Sequence, residues 1–90
     1  EVLETMRVIS QHGNVDLPYE QIVVCHAMES VIALYNGEKY VLGEYSSKEK
    51  AYKAMEMLRE AWINEAIGFT HGIYHRNIIF QFPQDDEIEV

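Results

Sequence analysis

The chain has 90 residues, 48% of them apolar, and its 15 Asp and Glu against 7 Lys and Arg give a formal net charge of -8. That apolar content excludes a disordered chain, no apolar run is long enough to span a bilayer, and an acidic surface repels phosphate backbones, which argues against nucleic-acid binding by a basic face. One domain is expected at this size, with a core small enough that association with further copies would add useful buried area.

Cys25 is the single cysteine, so no disulfide can form within the chain. Together with the lack of a basic, apolar leader, this makes a reducing, cytoplasmic setting the expectation.

Glu1 to Thr5 precede Met6 and read as an upstream extension or an added segment. Arg7 to Ser10 predicts a short strand, Gln11-His12-Gly13-Asn14 a turn, and Val15 to Leu17 the return arm of a hairpin. Pro18 ends that pairing and Tyr19-Glu20 lead into a strand over Gln21 to His26, whose continuous Ile22-Val23-Val24-Cys25 suits a central position covered on both faces. Ala27 to Ser30 turns, and Val31 to Tyr35 resumes the strand pattern. Asn36-Gly37 is the strongest hairpin signal, because both central positions of a type I′ turn need positive φ. Lys39 to Tyr45 is its return arm.

The longest element is a helix over Ser46 to Ala66. Ser46 and Glu49 have the spacing of a capping box, and Ala51, Ala54, Met55, Leu58, Ala61, Trp62 and Ala66 form one apolar stripe opposite Lys48, Lys53, Glu56, Arg59 and Glu60. Tyr52, Met57 and Ile63 lie off that stripe and read either as scattered surface residues or as contacts with a second copy. Gly68 suits a left-handed helix end. Phe69 to Asn77 lacks a period and reads as a structured loop, Ile78 to Phe82 as a last strand closed by Pro83, and Gln84 to Val90 as a solvated acidic tail. The fold class is therefore α+β, a mainly antiparallel sheet of about five short strands with one long helix on one face, its open edges inviting another copy.

No complete catalytic motif is present, so a non-enzymatic role is expected. His71 and His75 have zinc-ligand spacing, but Gly72 between them argues against a helix and no third ligand is near in sequence. Cys25 and His26 point to opposite faces of a strand and cannot act as nucleophile and base. Asp85, Asp86 and Glu87 lack an enclosing turn. No metal or cofactor is expected.

The polar groups that suit a ligand fall in two clusters. Tyr74, His75, Arg76 and Asn77 combine a stacking ring, a guanidinium that can fork onto phosphate, and an amide that can read a base edge. Arg7 with Gln11, His12, Gly13 and Asn14 adds donors and a glycine turn able to form an anion nest, and Tyr19 a second stacking ring. The plain alternative is two polar loops of ordinary turn residues.

The opening Met6-Arg7-Val8-Ile9-Ser10-Gln11 with Gly13 and Asp16-Leu17-Pro18-Tyr19-Glu20, the Gly43-Glu44-Tyr45-Ser46 entry to a helix carrying Lys53 to Arg59, and the Phe82-Pro83 close before Asp85-Asp86-Glu87 resemble small uncharacterised proteins of phages and prophages of Gram-positive bacteria. The resemblance spans most of the chain, which runs straight on where an insertion commonly follows the second strand. Some phage proteins of comparable build resemble Thoeris anti-defence sponges. The resemblance implies a homo-oligomer that sequesters a nucleotide-derived immune signal and assigns no site; the residue chemistry offers Arg7 and Arg76 as candidate phosphate partners and Tyr74 or Tyr19 as candidate stacking surfaces. Two alternatives stand beside it: an acidic inhibitor that fills the nucleic-acid groove of a host defence protein, and a self-associating structural component of the phage.

Overall fold

A computed structural model of the chain describes residues 3–67 and 75–90. Among these residues six strands form two sheets of three, where the sequence predicts one sheet of about five. The first sheet holds β1 (Leu3–Ile9), β2 (Asp16–Pro18) and β6 (His75–Gln81) in the order β2-β1-β6. The second holds β3 (Val23–Ala27), β4 (Ser30–Tyr35) and β5 (Glu38–Glu44) in the order β3-β4-β5. The sheets part at Pro18, where a 3-10 turn (Tyr19–Gln21) follows β2 and redirects the chain before β3 can join the first ladder. The α+β class holds.

Short connections dictate antiparallel pairing within the hairpins, and β1 with β2, β3 with β4 and β4 with β5 all comply. β1 and β6 are parallel, aligned from Leu3 opposite His75 to Ile9 opposite Gln81. Most of the chain lies between them, which supplies the long crossover that parallel neighbours need. One reading is corrected by this pairing: His75 to Asn77, read as loop, are strand, and they pair with Leu3 to Thr5 at the start of β1. The rest of that predicted loop, Phe69 to Tyr74, and Gly68 lie outside the described residues.

β3 is also corrected. It lies at an edge of its sheet, and β4 is the central strand. A continuous β-branched run signals burial on both faces but cannot say on which side a neighbouring strand lies. The Asn36-Gly37 turn forms as expected, with φ of 52° and 80°.

α1 (Lys48–Ala61) is capped by Ser47, one residue later than expected, whose Oγ accepts the Lys50 N–H at 3.2 Å. Ser47 has the extended backbone a cap requires, and the neighbouring Ser46 instead donates its N–H to Asp85 Oδ1 at 2.8 Å. Beyond Ala61 the chain continues as a wider π-helical turn (Trp62–Ile67).

One core joins both sheets and the helix. Met6 and Val8 alternate inward from β1, Val31 and Ala33 from β4, and Leu42 from β5, and they meet Ala51, Ala54 and Leu58 of α1. The two alanines let the helix come close to the sheet. The predicted acidic tail is part of this structure: Pro83 leads into a 3-10 turn (Asp85–Glu87), Lys50 Nζ donates to the Asp85 carbonyl at 2.9 Å, and Ile88 is only 4% exposed. Among the described residues no helix is long and apolar enough to cross a membrane.

Candidate functional site

A groove lies where the Tyr19–Gln21 turn meets the C-terminal end of α1. Its volume is about 440 Å³. Tyr19 and Trp62 form one wall, their ring centroids 5.3 Å apart and their planes tilted by 34°. Ile22, Val24, Met55 and Leu58 make an apolar floor, and Glu20 and Arg59 bring charge to the rim.

Local sequence explains each position. Pro18 is extended, with φ -78° and ψ 125°, and delivers Tyr19 directly into the turn. Glu20 fixes that turn to β1 by accepting the Met6 N–H on Oε2 at 3.1 Å, and this leaves its other carboxylate oxygen free of that contact. Arg59 and Trp62 are three apart, the spacing that places side chains on one helix face. The α-to-π change begins at Trp62, whose N–H is shared between the carbonyls of Arg59 and Leu58. Such wider turns recur at functional sites. Arg59 is exposed and has no ion-pair partner among the described residues, whereas Arg7, Lys50 and Lys53 are each paired. An aromatic wall, an apolar floor and a guanidinium at the rim suit a flat ring bearing an anionic group.

The residues singled out from sequence do not converge on one place. Tyr19 lines the groove. Arg7 is held by Asp16, with Nε to Oδ1 at 2.9 Å and Nη2 to the carbonyl at 3.4 Å, and is not among the groove's walls. Gln11, at 5% exposure, commits its side chain to the backbone of Glu44 and Pro83. Asn14 accepts the Ser10 hydroxyl on Oδ1 at 2.8 Å. Gln11, His12 and Asn14 do line a second hollow of about 200 Å³ against Val41 to Glu44 of β5. Tyr74 lies outside the described residues, as do the side chains of His75, Arg76 and Asn77. The backbone of these three pairs with Leu3, Glu4 and Thr5.

Of the lining residues sequence reasoning singles out only Tyr19; it assigns Trp62, with Met55 and Leu58, to the core stripe and Arg59 to the wet side. The three-residue spacing of Arg59 and Trp62 next to the helix end is the signal that could have joined them. No group of three or more His, Cys, Asp and Glu that could hold a metal occurs among the described residues. Comparison of the chain with protein-family models, with curated proteins and with solved structures finds no match.

Proposed function

We propose that this protein is a non-enzymatic binding protein that sequesters a nucleotide-derived molecule in the groove between the Tyr19 turn and the end of α1. The observation that carries the reading is the pairing of the Tyr19–Trp62 wall with Arg59 at the same groove. A base stacks on the indole and phenol faces, worth about 1–3 kcal/mol per base. Arg59 forks onto a phosphate and offsets, locally, the repulsion that a net charge of -8 exerts on any anion. The second oxygen of Glu20 accepts from a ribose hydroxyl or an exocyclic amine. Arg59 thereby takes the phosphate role that the sequence suggested for Arg7 and Arg76.

The setting we propose rests on the resemblance read from the sequence alone: a cytoplasmic counter-defence protein, acting as a homo-oligomer, that withholds an immune signal without cleaving it. The test is native mass spectrometry of protein purified from bacterial cells with active nucleotide-signalling defence, followed by titration with adenine and guanine mono- and dinucleotides. Trp62 is the only tryptophan, so its fluorescence reports on this groove alone. A nucleotide-sized adduct with quenching of Trp62 supports the reading. Protein that neither carries nor binds any nucleotide overturns it and gives the weight to an acidic inhibitor of a host protein.

A further inference from the structure

Among the described residues β3 is a sheet edge with none of the usual protection. Hairpin parity fixes which of its backbone groups face outward. The turn joins Ala27 to Ser30, so Ala27, Cys25 and Val23 exchange hydrogen bonds with Ser30, Ile32 and Leu34, and the N–H and C=O groups of Val24 and His26 point away from β4. Those groups have no hydrogen-bond partner among the described residues. Exposed edges are normally blunted by charge, proline, bulges or a covering segment. β2 is three residues long and ends in Pro18. β5 carries Glu38, Lys39 and Glu44, and Gln11 donates its N–H to the Leu42 carbonyl. Val23–Ala27 contains no charge, proline or glycine, and Val23 is 61% exposed.

We infer that β3 pairs antiparallel with β3 of a second copy about a two-fold axis, joining two three-stranded sheets into one of six. The occupant is a second copy because an uncharged edge of this kind is self-complementary, as an isologous interface requires. Centring the pairing on Cys25 overlaps all five residues of the strand. Val24 then exchanges hydrogen bonds with His26 of the second copy and the reverse, while the two Cys25 side chains face each other in a non-hydrogen-bonded pair, with Cβ atoms about 4.5–5.5 Å apart. On the helix face, His26 stacks edge-on against Tyr52 at 4.4 Å, and Tyr52 is 53% exposed. The second copy's His26 would therefore stand beside Val24, which is part of the groove floor.

The interface rests on the strand edge alone. Only its bearing on the groove rests on the nucleotide reading, so either can fail without the other. A five-residue edge buries less than the roughly 800 Å² per partner of a standard interface, so the dimer dissociates on dilution. Since each copy is strongly acidic and the contact itself is uncharged, added salt strengthens it.

The experiment is light scattering across a dilution series without ligand, combined with oxidation by diamide, which takes up the two hydrogens released as two Cys25 thiols join. A dimer of twice 10.5 kDa that oxidation locks through Cys25, and that Cys25→Glu dissociates while circular dichroism stays unchanged, is the expected result. Hydrogen exchange supplies a measurement that needs no variant, with the Val24 and His26 amides slowing as concentration rises. A monomer at every concentration overturns the inference. So does a dimer whose Cys25 thiols do not join and whose Val24 and His26 amides exchange freely.

Discussion

The side-chain amide of Gln11 and the backbone of Glu44 exchange two hydrogen bonds, Nε2 donating to the Glu44 carbonyl at 3.2 Å and Oε1 accepting the Glu44 N–H at 3.1 Å. Nε2 also reaches the Pro83 carbonyl at 3.2 Å, and the Gln11 backbone N–H donates to the Leu42 carbonyl at 2.7 Å. A side chain thus does the work of a neighbouring strand and ties the first sheet, the end of β5 and the C-terminal segment together. Gln11→Ala leaves these part-buried backbone groups without their side-chain partner and should cost about 1–3 kcal/mol in a urea titration. Gln11→Glu should be no better, because a carboxylate can accept from Glu44 but cannot donate to either carbonyl. Gln11→Ala protein that binds nucleotide as the wild type does would separate this residue's structural role from the ligand role its sequence suggests.

Tyr45 fills the space that Gly43 leaves open. A Cβ at Gly43 would come within 2.8 Å of the Tyr45 ring, and that ring is anchored by its hydroxyl donating to the Pro83 carbonyl at 2.9 Å. Tyr45→Phe should lose about 1 kcal/mol. Gly43→Ala should lose more, since it displaces the ring as well. Both changes forfeit the same hydrogen bond, so the double variant should fall short of their sum by a measurable coupling energy. Additive losses would mean that the ring does not depend on Gly43.

What could be read in advance was what is local. Asn36-Gly37 encodes its turn in two residues, and Ala51, Ala54 and Leu58 announce a buried helix face by spacing alone. Ser46 and Ser47 compete for one cap, and the choice falls to Asp85, 39 positions away from Ser46, which takes the Ser46 amide. The parallel pairing of β1 with β6 and the edge position of β3 are likewise set by partners distant in sequence. The groove was hidden because Trp62 fits the apolar stripe. Only the fold shows that the stripe runs past the sheet and ends against Tyr19.

Asp85 sits against the start of α1. The Ser46 backbone N–H holds its carboxyl below the ordinary carboxylate value, with Lys50 adding attraction. A carboxylate depressed in the folded state stabilises above its unfolded pKa, about 3.9, and that contribution is lost as pH falls through the folded value. Asp85→Asn keeps an acceptor for Ser46 but carries no charge. Urea midpoints should therefore show wild type ahead of Asp85→Asn at neutral pH, with the gap closing in acid below about pH 4. A gap independent of pH would remove the charge from the explanation.

Gly37 holds φ at 80°, and a Cβ added there would meet nothing within 4 Å, so Gly37→Ala isolates backbone strain from crowding. A loss of about 1 kcal/mol is expected, read as a lower melting temperature with the native circular dichroism retained. No loss would show that the turn can relax without penalty, and would weaken its claim to set the β4–β5 register.

Arg59 and Trp62 should contribute to ligand retention in different ways, and salt separates them. Arg59 is exposed, so Arg59→Ala should leave the melting temperature nearly unchanged, within about 0.5 kcal/mol of stability. It should weaken binding of a phosphate-bearing nucleotide by about 10- to 100-fold, in line with loss of a charge-assisted hydrogen bond. The residual binding should then respond little to ionic strength, because the screened contact is gone. Trp62→Phe keeps an apolar wall but shrinks the stacking face, so it should weaken nucleotides and nucleosides alike and preserve the salt dependence of the wild type. Calorimetry of both variants with adenosine and its monophosphate at low and high salt reads all of this. Equal losses for the nucleoside and the nucleotide in Arg59→Ala would show that Arg59 does not meet the phosphate, and would send the search for that contact back to the cations outside the groove.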